Sequence, residues 1–304
     1  MLVGAVVLAC ALSASNARSF PSDPPKVCDS CAEWNATREP FRIYGNTYYV
    51  GTGGLSAILL TADAGHILVD GALPQSAPRI DASIRALGFR TEDVRLIVNS
   101  HAHFDHSGGI AALQKASGAV VAASAPGARA IAAGEPTPDD PQHAFGSPFN
   151  GFPRVKDVRV VADGETLRVG DLAITAHRTP GHTPGGTSWT WRSCESGRCL
   201  DVVYADSLSA VSAPGFRYSG IGDGGRYLAA FRRSIATIAG LPCDVLLAPH
   251  PGSFGLDEKL GRPMVGGNPW VDRGACRAYA DTAARGLDRR LAEESATPSV
   301  TPAR

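Results

Sequence analysis

Ser100-His101-Ala102-His103-Phe104-Asp105-His106 places four potential metal ligands within six residues. The stretch follows the apolar run Val94–Val98 and precedes Gly108-Gly109. The apolar run reads as a buried strand. The ligands then sit at its carboxyl end, where α/β folds place their chemistry. Side chains two residues apart in extended chain share a face, so His101 and His103 point the same way. Asp105 and His106 come after the turn and face elsewhere. This geometry predicts two adjacent metals rather than one. Three of the chain's eight histidines lie in this hexapeptide. A polar loop with scattered histidines offers no packing reason for that clustering.

The chain has 304 residues, within the range of one large α/β domain. Lys and Arg balance Asp and Glu at 29 each, and no basic run interrupts the balance. That argues against nucleic acid or an acidic membrane surface as a partner. No apolar run reaches the length of a spanning helix.

Residues 1–17 carry no charged side chain, and 2–12 are apolar apart from Gly4. Ser15-Asn16-Ala17 is a small-x-small pattern. We read 1–17 as a secretory signal cleaved after Ala17, although the basic n-region is missing. A buried N-terminal strand is the alternative. Val7-Leu8-Ala9-Cys10 also resembles a lipoprotein processing site, which we rank second. The mature chain, 18–304, is then a single periplasmic domain, expected to be a monomer, with a disordered tail from about 296.

Removing the signal leaves Cys28, Cys31, Cys194, Cys199, Cys243 and Cys276. An even number in an exported chain points to disulfides. Cys194 and Cys199 flank a turn between two apolar runs and are expected to pair. Cys243 and Cys276 tie the last strand to the C-terminal helix. Cys28 and Cys31 remain. Their spacing also suits a zinc or redox pair, but no second such pair exists and no strand-to-helix context surrounds it, so a local disulfide is preferred.

Short strands are expected over 42–50, 55–61 and 66–70, a β-meander, followed by a helix over 77–87. The strand and metal motif come next, then a helix over 109–116, a strand over 119–123 and a helix from Ser124 to Gly134. Residues 135–153 hold five prolines and show no period. Such a loop is often functional, and we take it as a flap beside the site. Gln142 in it is a candidate substrate contact; His143 reads as an exposed loop histidine. Strands over 158–161, 165–169 and 172–176 form a second meander. It ends at Thr179-Pro180-Gly181-His182-Thr183-Pro184-Gly185-Gly186. Strands over 188–191 and 202–205, an amphipathic helix over 226–239, a buried strand over 245–248 and a charged helix over 277–294 complete the order. Two mixed sheets packed face to face with helices outside satisfy it.

Three strand ends therefore supply metal-type residues: the hexapeptide, His182 and His250. Five imidazoles and one carboxylate suit two zinc ions, each keeping an open position for water. One would have three histidines, the other two histidines and the aspartate. His66 and His177 read as structural.

His-x-His-x-Asp-His, followed by a Gly-embedded histidine and a late histidine, resembles the metallo-β-lactamase superfamily. The resemblance implies an α/β fold, a four-layer αβ/βα sandwich. Narrower features resemble its class B, subclass 3 enzymes. They are Tyr44-Gly45-Asn46-Thr47-Tyr48-Tyr49-Val50-Gly51-Thr52, the Ser100–His106 stretch, the segment from Pro180 to Trp191, and Tyr204-Ala205-Asp206-Ser207-Leu208-Ser209. The likeness spans about 28–290. It implies one zinc on His101, His103 and His182 and a second on Asp105, His106 and His250. Ser207 and Ser209 are implied contacts for the substrate carboxylate. Some members of the family have a cysteine where this chain has Gly53, which supports the local Cys28–Cys31 assignment. The implied activity is hydrolysis of the β-lactam amide of penicillins, cephalosporins and carbapenems, conferring antibiotic resistance. A zinc-bound hydroxide attacks, Asp105 both ligates and orients it, and no covalent acyl-enzyme forms.

The runner-up is a glyoxalase-like thioester hydrolase or a lactonase on the same fold. Those relatives bridge both metals with an aspartate near the position of Asp206. The export signal, the Ser-Leu-Ser, the Pro-rich flap and the lack of an extra substrate domain favour the lactamase. A non-catalytic zinc-binding protein is a third reading, set against the open ligand positions.

Overall fold

The first sheet runs in chain order. It comprises β1 (Phe41–Tyr44), β2 (Thr47–Tyr49), β3 (Ile58–Leu60), β4 (His66–Val69), β5 (Val94–Val98), β6 (Val120–Ser124) and β7 (Val158–Val161). Pairing is antiparallel from β1 to β4 and parallel from β4 to β7. The second sheet has β8 (Thr166–Val169), β9 (Leu172–Arg178), β10 (Thr187–Glu195), β11 (Arg198–Tyr204) and β12 (Val245–Leu247), in the order β12-β11-β10-β9-β8. Only β11 and β12 pair in parallel there. This computed structural model describes residues 20–220, 225–261 and 267–296. The leader read at 1–17 and the tail beyond 296 lie outside them.

Period-two alternation sorts the first sheet between two cores. Ile58, Leu60, Ile67, Val69, Leu96, Val98 and Ala122 face the second sheet. Leu59, Leu68, Ile97, Val121 and Ala123 face the helices Ala77–Ala86, Ile110–Ser117 and Ala125–Ala133. With both faces buried, these strands read as continuous apolar runs. Helix Arg226–Gly240, through Phe231, Ile235 and Ile238, and helix Ala275–Ala296, through Ala280 and Leu287, join the core of the second sheet. The result is the four-layer arrangement expected.

Two buried tryptophans of β10 join the sheets. Trp189 Nε1 donates to Asn99 O at 3.1 Å, and Trp191 Nε1 donates to Thr47 Oγ1 at 2.9 Å. Each buries a large ring and satisfies its one donor.

The structure corrects four local expectations. The strand expected over 42–50 breaks at Gly45-Asn46, where Gly45 adopts φ +49°, and becomes the hairpin β1–β2. β7 does not begin the second meander; it pairs in parallel with β6 at the edge of the first sheet. Alternation marks a strand but not its neighbour. The neighbour is set by the crossover helix Ala125–Ala133, begun by Ser124 Oγ accepting from Gly127 N at 3.4 Å, and by the stretch after it. The strands expected over 188–191 and 202–205 extend to a long hairpin in which Cys194 and Cys199 face one another. The flap 135–153 carries a 3₁₀ turn, His143–Phe145, and a helical turn, Ser147–Asn150.

All three expected disulfides form: Cys28–Cys31, Cys194–Cys199 and Cys243–Cys276. Among the described residues, no helix is long and apolar enough to cross a membrane.

Candidate metal centre

Asp70, at the end of β4, is the anchor beneath the site. It is fully buried and holds φ +63°, a conformation unusual outside glycine. Its Oδ1 accepts from Ser100 N at 2.7 Å and Asn99 Nδ2 at 2.9 Å; its Oδ2 accepts from Ser100 Oγ at 2.7 Å and Tyr204 OH at 2.8 Å. Four donors fix the chain just before His101. His101 and His103 then leave β5 in extended chain, and a helical turn, Phe104–Ser107, swings Asp105 and His106 to the other side.

The other ligand-type residues arrive on stiff loops. Gly181 has φ +157°, and a Cβ there would lie 2.2 Å from the Phe231 ring. A Cβ on Gly186 would lie 2.4 Å from Asp206 Oδ2. Glycine is therefore required on both sides of His182. His250 follows Pro249, whose carbonyl accepts from Ser56 N at 2.8 Å and so ties the last strand end to the first sheet.

Two triads result. The donor atoms of His101, His103 and His182 lie within 4.8 Å of one another, as do those of Asp105, His106 and His250. The triads adjoin, with the His101 and His106 rings 4.4 Å apart. Five of the six residues are buried, and His250 keeps 34% of its side chain exposed, which marks the open side. Asp105 Oδ2 sits 3.1 Å from His106 Nε2 and 3.4 Å from His250 Nε2.

The first triad is held from behind. His101 Nδ1 meets Asp206 Oδ1 at 2.7 Å, His103 Nε2 meets Asp140 Oδ1 at 3.2 Å, and His182 Nδ1 meets Ser209 O at 2.9 Å. A metal-binding imidazole characteristically spends its second nitrogen on such an acceptor. The opposite nitrogens are left for a cation. His101 Nε2 and His106 Nδ1 are buried with no hydrogen-bond partner, and His106 Nε2 has only the Asp105 carboxylate, 3.1 Å away. Buried, unsatisfied nitrogens are costly unless something occupies them.

Electrostatics agree. Burial pushes the His101 pKa well below the ordinary value and Asp206 well above it. Burial, with His103 adding to it, takes His182 down to about 3. Burial also opposes charge on His103, but Asp140 outweighs it and raises that pKa. Burial disfavours an ionised Asp105 too, yet His106 and His250 hold it well below the carboxylate range. His101 and His182, kept neutral by burial, and an ionised Asp105 belong to a nitrogen-rich donor set that fits zinc.

The site brings together all six ligand-type residues read from the sequence. Ser207 is buried and Ser209 exposed, both on the loop after β11. Ser209 also turns its carbonyl and hydroxyl to His182 Nδ1. Gln142 Nε2 lies 3.5 Å from His182 Nε2. Asp206 is not among the converging donors. His66 packs against Phe89 and His177 pairs with Thr190, as expected of structural histidines. His143, expected as an exposed loop histidine, is half-buried, with its Nδ1 3.1 Å from Pro136 O within the flap. Sequence reading missed Asp140 and Asp70. A strand-end Val-Asp-Gly was the available signal for Asp70. For Asp140, one acid in a Pro-rich loop carries none.

A family model described as the metallo-beta-lactamase superfamily matches residues 50–197. A protein described as a probable metallo-hydrolase of Burkholderia pseudomallei (strain 1710b) is 33% identical over 114 residues, 36% of this chain and 34% of that protein. That match thus spans about a third of the curated relative's length. Likeness to solved structures is far more complete. The Rm3 metallo-beta-lactamase is 53% identical, with 88% of this chain and 99% of that chain covered and a TM-score of 0.84. MEM-A1, a subclass B3 metallo-beta-lactamase isolated from a soil metagenome library, is 49% identical, with 86% and 99% covered and a TM-score of 0.83. MIM-1 from Novosphingobium pentaromativorans is 43% identical, with 86% and 93% covered and a TM-score of 0.80. With its fold, its two triads and near-complete overlap with these structures, the chain belongs to the metallo-β-lactamase superfamily, in subclass B3.

Proposed function

We propose that the chain hydrolyses the amide bond of β-lactam antibiotics with two zinc ions, one held by His101, His103 and His182 and the other by Asp105, His106 and His250. The two adjoining triads are the observation that carries this reading. Zinc at such sites supplies Lewis acidity for the lactam carbonyl and acidifies water towards neutrality, so that a nucleophile is available without an activated serine.

The chain's own residues do the positioning. Asp206, Asp140 and the Ser209 carbonyl hold the three imidazoles of the first triad in one tautomer and orientation. Asp105 stays ionised between His106 and His250, and its carboxylate would orient the attacking water. Ser207 and Ser209 stand beside His250 along one groove, where their hydroxyls would receive the substrate carboxylate. Gln142 faces the first triad from the flap and would contact the substrate's amide side. Trp34, tilted against His250 with ring centroids 5.4 Å apart, and the edge-to-face pair Phe104 and Phe149, 5.4 Å apart, place aromatic surface beside the second triad.

Three disulfides support an oxidising compartment, and with the leader read at 1–17 we assign the mature chain 18–304 to the periplasm as a monomeric, single-domain enzyme. The decisive experiment is hydrolysis of a penicillin and a carbapenem by the purified protein, with and without a zinc chelator. Turnover of both, abolished by the chelator and restored by zinc, is expected. A folded protein that binds two zinc ions and turns over neither lactam overturns the proposal.

A further inference from the structure

The flap 135–153 is anchored by buried Pro136, Pro141, Asn150 and Phe152 and reaches the site through Gln142, whose Nε2 lies 3.5 Å from His182 Nε2. Phe145 and Phe149 remain 39% and 42% exposed. Its one deeply buried acid is Asp140, 6% exposed, and that side chain points away from solvent to His103. The same Oδ1 that meets His103 Nε2 at 3.2 Å accepts from Gln142 N at 2.8 Å. The backbone around it is fully engaged. Asp140 N donates to Thr137 O at 2.9 Å, and His143 N donates to Asp140 O at 3.0 Å. Ala213 N donates to Pro141 O at 2.9 Å, which ties the flap to the loop carrying Ser207 and Ser209. Asn150 Nδ2 donates to Gln142 O at 2.9 Å and closes the flap on itself.

We propose that Asp140 is a positioning residue through which the flap and the metal centre set each other's geometry. The inference rests on reading His103 as a zinc ligand. With Nε2 committed to Asp140, His103 has Nδ1 left for the metal, so the carboxylate selects both the tautomer and the ring rotation. Coupling of this kind is reciprocal. A cation on His103 makes its N–H a stronger donor and so holds Asp140. Asp140 in turn holds Gln142 N, and through Pro141 the substrate loop. The corresponding tethers of His101 and His182 come from Asp206 and Ser209, next to β11. Only the tether of His103 comes from the flap.

The test needs no substrate. Zinc affinity is measured by competition with a chromophoric chelator, and backbone hydrogen exchange over 135–153 is followed with and without zinc. In the wild type, zinc slows exchange in the flap. Asp140→Ala weakens the tighter zinc step by about 10–100-fold and abolishes the zinc-dependent slowing. Asp140→Asn keeps an acceptor oxygen without the charge and falls between the two. A role confined to folding would lower the unfolding temperature of the metal-free protein while leaving zinc affinity and the flap response unchanged, and that result overturns the proposal. Should the alanine variant not fold, the asparagine variant decides, since wild-type affinity and wild-type exchange in it also overturn the proposal. A wild type that binds no zinc sinks the reading of the metal centre instead.

Discussion

Asp206 Oδ1 lies 2.7 Å from His101 Nδ1, and neither side chain is more than 1% exposed. Asp206 therefore stands behind the first triad rather than between the two. Its other oxygen is packed against Gly186, and Tyr279 OH donates to its backbone carbonyl at 2.9 Å. This bears on the thioester-hydrolase and lactonase reading, which needs an aspartate near this position as a bridge. Here the carboxylate is committed to an imidazole.

Asp206→Asn keeps the shape and turns the carboxyl into an amide. Its oxygen is a weaker acceptor for His101 Nδ1, and the amide can turn its NH2 to that nitrogen instead, so the tautomer with a free Nε2 loses its preference. Zinc content or kcat for a lactam falls by about 10–100-fold, with KM little changed, because Asp206 is buried away from the substrate. Metal analysis and steady-state kinetics check it; full zinc and full kcat would show that His101 is oriented by something else.

Gly186→Ala inserts a Cβ 2.4 Å from Asp206 Oδ2 and 2.5 Å from Thr179 O. Both neighbours are buried and held. Overpacking of this kind costs about 1–3 kcal/mol, read as a lower urea midpoint at unchanged slope. Zinc affinity drops with it, since the displaced carboxylate is the one that holds His101.

Arg290 and Glu294, on the final helix, staple the loop after β11. Arg290 donates to Ala210 O, Ser212 Oγ and Phe216 O, and its Nε donates to Glu294 at 2.7 Å. Glu294 accepts from Tyr218 N and Ser219 N, each at 2.8 Å. Arg290→Ala leaves a buried carboxylate short of its counter-charge, which costs roughly 3 kcal/mol. The same loop carries Ser207 and Ser209, so KM for lactams rises several-fold while zinc content holds. Thermal unfolding, kinetics and metal analysis together separate these effects.

His182 titrates at about 3 in the metal-free fold, against 6.5 for an ordinary histidine. Between those values the unfolded chain binds a proton that the folded chain refuses, so stability rises with pH there. The contribution of His182 is complete above about pH 6.5 and is lost as pH falls towards about 3. The loss runs at up to about 1.4 kcal/mol per pH unit. His101, pushed down by burial as well, acts in the same direction. Urea unfolding of the chelated protein at several pH values should show this slope, and His182→Gln should flatten it. A stability of the chelated wild type that is level across that range would contradict the placement of His182 as a buried neutral group.

The six ligand-type residues were legible because the chemistry requires particular side chains and the chain supplies them next to unmistakable strand ends. Val94–Val98 runs into the hexapeptide, and Pro-Gly pairs bracket His182. The strands of the first sheet were legible for the same local reason, an apolar period with turn residues between. Partnership was not. β7 reads like any other short strand, and its place beside β6 depends on how the crossover before it packs.

The sequence by itself determined which residues can bind metal, that they lie at strand ends, and that six cysteines pair locally or across a modest span. These follow from side-chain chemistry and from spacings of a few residues. Only the tertiary structure decided what stands behind the ligands. Asp70, Asp140 and Asp206 are separated in sequence from the histidine motif by 29 to 105 residues in the contacts they make with it. As isolated acids they resemble surface carboxylates. Burial changes their meaning, because a carboxylate removed from water must find donors, and in this fold the donors include a serine backbone amide, a tyrosine hydroxyl and two imidazoles of the metal centre.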